Sequence, residues 1–243
     1  MSDPILILGA SGGIGSAIAA RLALAGHPLI LHGRDRARLT ALSTQIKGAN
    51  VIEVADLCEE IEVVALFSRI RAVHERLGGL VFSVAAPFSN KLAHRTSWST
   101  FAEQIATQLK ALHLSAAAAH PLLIGGTNTR RVILISSDFA ITPPPIKTAP
   151  YSAAKAAMTA YGRVIAKEWL RSGIRVHIVA PGMVKTPLIA HLPDAFLDQV
   201  ASSMPELSLT TLVDVAGLVE FLMTDGGDTL YGSPIRVSRG ERV

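Results

Sequence analysis

Short apolar runs alternate along the chain with longer stretches in which apolar residues recur at helical spacing. Short apolar runs bounded by turn residues are typical of strands buried on both faces. The predicted strands are Ile5–Leu8, Pro28–His32, Val51–Val54, Leu80–Val84, Val132–Ser136, Arg175–Ala180 and Pro234–Val237. Helices are predicted to begin near Gly13, Arg36, Glu59, Trp98, Tyr151 and Leu212. This alternation predicts a doubly wound, Rossmann-like α/β fold, in which helices cover both faces of a parallel sheet in three α/β/α layers.

Three long irregular stretches follow predicted strands: Ala86–Ser97, Ser137–Pro150 and Pro181–Ser208. Ligands of open parallel sheets bind beyond the carboxyl ends of the strands, so these stretches are expected to build the site. The chain shows no repeat and no linker, and residues 1–243 are therefore predicted to form a single domain.

The high apolar content and the scattered charges favour an oligomeric globular protein over a nucleic-acid-binding one. Apolar residues make up 49% of the chain and charged residues 17%, which leaves apolar surface that can be buried between subunits. The net charge is +4, but the basic residues are scattered, and Asp35 interrupts the densest group of arginines. A nucleic-acid partner is therefore not expected.

Cysteine, histidine and hydropathy patterns point to a cytoplasmic protein without a metal. Cys58 is the only cysteine, which excludes an internal disulfide and suits a reducing compartment. The N-terminus carries no basic leader, and the apolar runs are too short or too interrupted to span a membrane. His113 and His120 can share a helix face, but no third ligand accompanies them.

A glycine-rich turn follows the first predicted strand. Gly9, Ser11, Gly12, Gly13, Ile14 and Gly15 lie between the apolar run Ile5–Leu8 and a helical stretch that reaches Leu24. Glycine lets the backbone approach a phosphate closely, and the helix that follows points its free N–H groups at the anion. A strand, this spacing and a helix together predict a dinucleotide-binding turn.

Tyr151 and Lys155 lie four residues apart at the start of a predicted helix, so they share one face. A tyrosine normally titrates near pH ~10. The Lys155 ammonium is expected to lower the pKa of Tyr151 toward working pH. Such a pair predicts a general acid–base for an alcohol or a carbonyl.

In spacing and order these motifs resemble the short-chain dehydrogenase/reductase family over essentially the whole chain. The resemblance implies that Ser137 binds the substrate oxygen, that Tyr151 is the acid–base and that Lys155 also holds the nicotinamide ribose. The family's helix asparagine, part of a proton relay, aligns best with Gln108. The remaining cofactor positions implied are Asp56, Leu57, Ala85, Pro181, Gly182, Val184 and Thr186, in addition to the glycine-rich turn.

The sequence departs from the family pattern at several positions. Leu8 stands where the family usually has threonine, and the segment Ser83–Ala86 replaces Asn-Asn-Ala-Gly. His177 replaces an asparagine, and Ser238-Arg239-Gly240 replaces Asp-Gly-Gly. The changes at Leu8, at Ser83–Ala86 and at Gln108 concern cofactor placement and proton supply, while hydride transfer is still expected.

The end of the second predicted strand favours NADP(H) over NAD(H). NAD users of this fold commonly place an acid there to bind the ribose hydroxyls. Gly33 occupies that position, and Arg34 follows it. The planar guanidinium of Arg34 can pair with a 2′-phosphate.

The predicted function is hydride transfer between NADP(H) and a carbonyl or secondary alcohol, with a ketone or oxoacyl-type reductase as the expected form. A dinucleotide-binding sensor with weak catalysis, or a lyase or isomerase on the same scaffold, are the alternatives. A homodimer or homotetramer is expected through the helices Trp98–Ile124 and Tyr151–Trp169. The expected apolar pocket lining is Pro87, Phe88, Phe139, Ile141, Pro143, Pro144, Pro145, Met183 and Leu188.

Overall fold

A computed structural model describes residues 3–87, 90–125 and 129–240 of the chain. Seven strands form one parallel sheet in the order β3-β2-β1-β4-β5-β6-β7. Their bounds are β1 Ile5–Leu8, β2 Leu29–Gly33, β3 Asn50–Val54, β4 Gly79–Phe82, β5 Arg130–Ile135, β6 Ile174–Pro181 and β7 Pro234–Val237. All seven predicted strands are present, with ends that differ by one or two residues. The prediction of a Rossmann-like three-layer fold is confirmed.

Eight α-helices connect and cover the strands in the described residues. They are α1 Gly13–Leu24, α2 Arg36–Gln45, α3 Glu60–Val73, α4 Trp98–Ile105, α5 Ala111–Leu123, α6 Ala149–Glu168, α7 Asp194–Ser202 and α8 Leu212–Leu222. A π-helical segment, Ala106–Lys110, joins α4 to α5. No helix in the described part of the chain is long and apolar enough to cross a membrane.

The strands are apolar throughout because both faces of the sheet are covered. Successive side chains of a strand point to opposite faces. On β1, Ile5 and Ile7 belong to the core shared with α1 and α8, whereas Leu6 and Leu8 belong to the core shared with α3, α5 and α6. All four side chains are buried. Burial on both faces therefore replaces the apolar–polar alternation of a half-exposed strand.

The chain reverses its direction of travel across the sheet at β1. From β1 it winds outward to β2 and β3, then returns so that β4 pairs with the other edge of β1, with Leu8 opposite Phe82. The connections diverge at this switch point and leave a crevice beyond the carboxyl ends of β1 and β4. The glycine-rich turn leaves β1 at this crevice.

Two parts of the predicted helix pattern were wrong. The stretch Trp98–Ile124 is not one helix, because the π-helical segment interrupts it. The stretch Pro181–Ser208 is not irregular throughout, since it contains α7. Leu197 and Val200 of α7 are buried, so the helix is held by packing that its short sequence pattern did not reveal.

Candidate active site

The glycine-rich turn is built by close approaches that exclude side chains. Gly9 has a φ of +82°, and a Cβ at this residue would lie 2.7 Å from the carbonyl oxygen of Ser83. A Cβ at Gly15 would lie 2.1 Å from the carbonyl oxygen of Gly9. Both positions therefore require glycine for the turn to fold back against the start of α1.

Helix α1 begins immediately after this turn. Gly12 is its N-cap and offers no side chain, so the first N–H groups of the helix lack a side-chain acceptor there. A Cβ at Gly13 would lie 2.8 Å from Cγ2 of Thr186, which brings the segment after β6 against the turn. Ser11 and Ile14 complete the turn. Its geometry suits a diphosphate at the helix N-terminus.

Arg34 lies at the end of β2 and is exposed beside the turn. A Cβ at Gly33 would lie 2.9 Å from Oγ of Ser11, so this strand end approaches the turn closely. Sequence reasoning missed Arg38, whose Nη2 donates a hydrogen bond of 2.6 Å to the carbonyl oxygen of Ser11. Arg34 directly follows β2 and Arg38 lies in the first turn of α2, so both arginines lie near the turn.

The loop after β3 borders the same side of the crevice. The Asp56 carboxylate accepts a hydrogen bond of 2.9 Å from the backbone N–H of Cys58. The Leu57 side chain is buried in the core, which leaves only its backbone for contact with a nucleotide. His32 is buried behind this loop, and its Nε2 lies 3.1 Å from the carbonyl oxygen of Ala55. Burial lowers the pKa of His32 to about 4.

Ser137, Tyr151 and Lys155 are brought together at the carboxyl end of β5. Ser137 follows the strand, and α6 carries Tyr151 and Lys155 on the face toward it. Lys155 Nζ donates a hydrogen bond of 2.7 Å to the carbonyl oxygen of Ile135 and lies 5.8 Å from the centroid of the Tyr151 ring. All three side chains are buried.

Ser136 and Ser137 have different roles although both follow the apolar strand. Ser136 Oγ lies 2.6 Å from Oγ1 of Thr159 and fastens β5 to α6. Ser137 Oγ accepts a hydrogen bond of 3.3 Å from the N–H of Phe139 and takes part in a hydrogen bond with Tyr151. The geometry therefore favours Ser137 over Ser136 as the serine that contacts a substrate oxygen.

The pKa of Tyr151 is shifted in the direction opposite to the expectation. Burial raises it to about 12, with the charge of Asp138 raising it further and the Ser137 hydrogen bond lowering it. Burial also lowers the pKa of Lys155 to about 7. The prediction that the Lys155 ammonium lowers the pKa of Tyr151 was wrong. Loss of solvent around the phenolate raises this pKa more than any other contribution changes it.

Gln108 is fully buried in the π-helical segment. Its Nε2 donates a hydrogen bond of 2.6 Å to Oε1 of Gln104, a residue that the sequence analysis missed. The i,i+4 spacing of two glutamines on one predicted helix was the available sign. Gln108 Oε1 has no hydrogen-bond partner among the described residues. Gln108 therefore points inward and makes its hydrogen bond to Gln104.

Two adjacent cavities lie beyond the carboxyl ends of β5 and β6. The smaller, of about 70 Å³, is lined by Ile14, Ser136, Ser137, Asp138, Phe139, Tyr151, Pro181, Gly182, Met183, Val184, Thr186, Leu188 and Ile189. It therefore joins the glycine-rich turn to the serine–tyrosine pair. Ala85 lies at the end of the segment after β4, half-buried and outside this lining.

The larger cavity, of about 560 Å³, shares Asp138, Phe139, Gly182 and Met183 with the smaller one. Of the expected apolar lining, Phe139, Pro143, Pro145 and Met183 border it, and Leu188 borders the smaller cavity. Pro87, Ile141 and Pro144 line neither of these two cavities, and Phe88 lies outside the described residues. The structure adds Phe196, Val200 and Met204, which are supplied by α7 and the turn after it.

A diphosphate-binding turn at the switch point, with a buried serine–tyrosine–lysine group facing it, defines a dinucleotide-binding oxidoreductase. A family model described as enoyl-(acyl carrier protein) reductase matches residues 9–241. The chain belongs to the short-chain dehydrogenase/reductase family and is an oxidoreductase that acts on CH–OH and C=O groups. The predictions of family, fold and enzyme class are confirmed.

Known relatives match along nearly the whole chain. A 3-oxoacyl-[acyl-carrier-protein] reductase of Rickettsia conorii is 32% identical over 97% of this chain and 95% of its own length. A (3R)-3-hydroxyacyl-CoA dehydrogenase of Canis lupus familiaris is 29% identical over 97% of this chain and 94% of its own. A crystal structure of a dehydrogenase/reductase from Sinorhizobium meliloti 1021 has a TM-score of 0.90 at 26% identity, covering 99% and 95% of the two chains.

Proposed function

We propose that the chain is an NADPH-dependent reductase of 3-oxoacyl thioesters. The observation that carries the proposal is the small cavity in which Ile14 of the glycine-rich turn, Ser137, Tyr151 and Thr186 meet. A nicotinamide ring held there would face the serine and the tyrosine. The larger cavity beyond Phe139 and Met183 offers space for an acyl chain.

NADP(H) is the cofactor, and the backbone of the glycine-rich turn holds its diphosphate. Arg34, with Arg38 beside it, carries the positive charge that a 2′-phosphate requires. Asp56 and the backbone of Leu57 border the adenine. The nicotinamide riboside would be held by residues that line the small cavity, namely Pro181, Gly182, Val184, Thr186 and Tyr151. Lys155 and Ala85, which lie outside this lining, would complete its binding. When bound, the reduced cofactor supplies the hydride.

The chain's own residues orient the carbonyl and supply a proton. The Ser137 hydroxyl donates a hydrogen bond to the substrate oxygen. Tyr151, with a pKa of about 12, holds its phenolic proton at neutral pH and can donate it to the oxygen as negative charge develops there. A protonated tyrosine suits reduction better than oxidation, which requires a base.

Gln108 serves the resupply of that proton. Its buried Oε1 is an acceptor that can bind a water, and the π-helical segment that carries it packs against α6, the helix of Tyr151 and Lys155. Gln108→Leu removes the acceptor, and we expect turnover to fall about tenfold, in line with losing one hydrogen bond. Gln108→Asn should retain the wild-type rate. Full activity of Gln108→Leu at neutral and acidic pH would exclude Gln108 from the relay.

The substrate class is taken from the relatives together with the cavity. The printed activities of the Rickettsia and Canis relatives concern 3-oxoacyl and 3-hydroxyacyl groups carried on thioesters. The larger cavity has a mixed lining, in which Phe139, Phe196, Val200 and Met204 supply apolar surface and Asp138 and Arg236 supply charge. The apolar part offers a surface for an acyl chain.

The chain works as one domain of residues 1–243 in a cytoplasmic homo-oligomer. Small side chains of α5 and α6 form an exposed face at Ala117, Ala153, Ala156 and Ala160, and Val164 continues it. Small residues let two helices approach closely, and a second copy would cover this apolar face. Light scattering at micromolar concentration tests this assembly, which a monomer would contradict.

The decisive experiment follows NADPH oxidation with a short 3-oxoacyl thioester, a simple ketone and an aldehyde as acceptors. We expect the thioester to give the highest kcat/KM. A preference for the simple ketone would contradict the assignment of thioesters as substrates but would still support a reductase activity. NADPH binding without turnover on any acceptor would favour a sensor. Product formation without net cofactor oxidation would favour a lyase or isomerase.

A further inference from the structure

Four apolar residues follow β4 and Ser83, and they have no polar side chains to bind their own backbone. They are Val84, Ala85, Ala86 and Pro87. The carbonyl oxygens of Ala86 and Pro87 accept hydrogen bonds from Nε2 of Gln104, at 3.4 and 2.7 Å. Gln104 is 1% exposed, so water does not compete for these bonds. One buried amide therefore holds this segment to the end of α4.

The direction of the Gln104 amide follows from this contact. Backbone carbonyls only accept hydrogen bonds, so the NH₂ group of Gln104 must face Ala86 and Pro87. The Oε1 of Gln104 then faces Gln108, and only the NH₂ group of Gln108 can donate to it. Nε2 of Gln108 lies 2.6 Å from this Oε1. The two carbonyls after β4 thus set the orientation of both amides.

The last atom in this series of hydrogen-bonding amide groups is the Oε1 of Gln108. It is buried and has no hydrogen-bond partner among the described residues. A buried acceptor of this kind needs a donor such as a water or an ammonium. The π-helical segment that carries it packs against α6, the helix of Lys155. If the Gln108 amide were flipped, its NH₂ group would stand where Oε1 now stands. That position would then hold a donor and could not accept a hydrogen bond from a water or an ammonium.

We propose that Gln104 is a positioning residue, which fixes the polarity of Gln108 so that a carbonyl oxygen rather than an NH₂ group faces the proton path. This rests on the proposed role of Gln108 in resupplying the Tyr151 proton. Gln104 itself touches neither substrate nor cofactor. Its NH₂ group is held by the carbonyl oxygens of Ala86 and Pro87, and its Oε1 therefore holds the NH₂ group of Gln108, which leaves the Oε1 of Gln108 free to accept.

Two substitutions at Gln104 test the polarity. Gln104→Met nearly keeps the volume but has no hydrogen-bonding amide, and we expect kcat to fall about tenfold at every pH, as for the loss of one hydrogen bond. Gln104→Glu is more informative. When protonated, its carboxyl can donate to Pro87 and accept from Gln108, as the amide does. When ionised, it can only accept.

The pKa of a buried glutamate facing carbonyls lies above its ordinary ~4.3. Both forms accept from Gln108, so kcat of Gln104→Glu relative to wild type should stay near normal at every pH, in contrast to Gln104→Met. The ionised form cannot donate to Pro87, so the stability of Gln104→Glu relative to wild type should be retained below the unfolded pKa and lost as pH rises through the folded one. Each ratio is taken against wild type at the same pH, which removes the titrations of Tyr151 and Lys155.

The matched control is Gln45→Met, an exposed glutamine at the end of α2, which should leave kcat and stability unchanged. Gln108→Leu in the same series separates the two proposals. If Gln108→Leu keeps full activity, the proposed relay fails. If it is slow while Gln104→Met matches wild type, the positioning role fails alone. If wild type has no turnover, a Gln104→Glu stability that does not change with pH relative to wild type still overturns the donor role of Gln104.

Discussion

The glycine-rich turn and the buried amides of Gln104 and Gln108 differ in what holds their geometry. In the turn, side chains are excluded at Gly9, Gly13 and Gly15, where an added Cβ would meet neighbouring atoms too closely. The two amides are joined to each other, and Gln104 also binds the carbonyl oxygens of Ala86 and Pro87. The turn therefore depends on the absence of side chains, whereas the amides depend on matched donors and acceptors.

This difference governs how each region tolerates change. A Cβ at Gly15 would lie 2.1 Å from the backbone oxygen of Gly9, so the backbone would have to shift. An amide network can exchange one hydrogen-bonding side chain for another, provided that its donors and acceptors still match. Substitutions in the turn should therefore impair the protein through steric clashes. Substitutions in the amide network should impair it when donors and acceptors no longer match. The predictions that follow test this contrast.

The largest effect is expected at the proton donor. Tyr151→Phe removes the phenolic proton while keeping the ring, so turnover should fall a hundredfold or more with NADPH binding nearly unchanged. Tyr161→Phe on the same helix is the control, because Tyr161 contacts His113 and lies outside the cavities described. Steady-state kinetics and NADPH fluorescence titration measure the two quantities. More than about a tenth of the wild-type rate in Tyr151→Phe would place the proton elsewhere.

Gly15→Ala tests the steric rule for the turn. The added Cβ forces the backbone of Gly9 or α1 to shift, a strain of roughly 2 kcal/mol that corresponds to about thirtyfold weaker NADPH binding. Gly217→Ala is the matched control, since a Cβ at this residue of α8 meets no atom within 4 Å. That variant should bind NADPH normally and be slightly more stable, because alanine is the better helix former. Equal affinities of the two variants in a titration would refute the steric account.

Arg34→Ser tests cofactor choice. Loss of a charge-assisted contact with the 2′-phosphate should lower kcat/KM for NADPH about tenfold and leave that for NADH unchanged. Arg36→Ser removes a neighbouring exposed arginine at the start of α2 and should change neither. A wild-type enzyme that uses NADH as well as NADPH would contradict the assignment of Arg34.

The most gradual effect is expected in the pH dependence of stability, which Lys155→Met measures. The pKa of Lys155 is about 7 in the folded protein and near 10.5 when unfolded, so the unfolded chain binds the proton more tightly between these values. Relative to Lys155→Met, wild type should therefore gain stability as pH rises from about 7 to about 9, by roughly 1 kcal/mol per unit. Urea unfolding of the cofactor-free proteins measures the difference. Lys167→Met, an exposed lysine on α6, should show no such trend.

Sequence reasoning succeeded where one local cause decides the structure. The strands followed from apolar runs because both faces of the sheet are buried, and the turn followed from glycine spacing. The family, fold and enzyme class were all predicted from such features. The roles assigned to Ser137, Tyr151 and Lys155 remain predictions, although the structure brings these side chains together.

The rest could not be predicted because it depends on packing between distant segments. Nothing local distinguishes the π-helical segment from a continuous helix, and α7 depends on the burial of Leu197 and Val200. The pKa of Tyr151 was expected to fall because only its helix neighbour was visible in the sequence. Its burial beneath the segment after β5 raises the pKa instead.

The switch point between β1 and β4 also constrains how the protein acquires its site during folding. Leu8 pairs with Phe82, so the two strands that flank the crevice are separated along the chain by two further strands and three helices. Pairings between residues so far apart close large loops and slow the search for the native state. A nascent chain that ends before β4 would carry the glycine-rich turn without the opposite wall of the crevice.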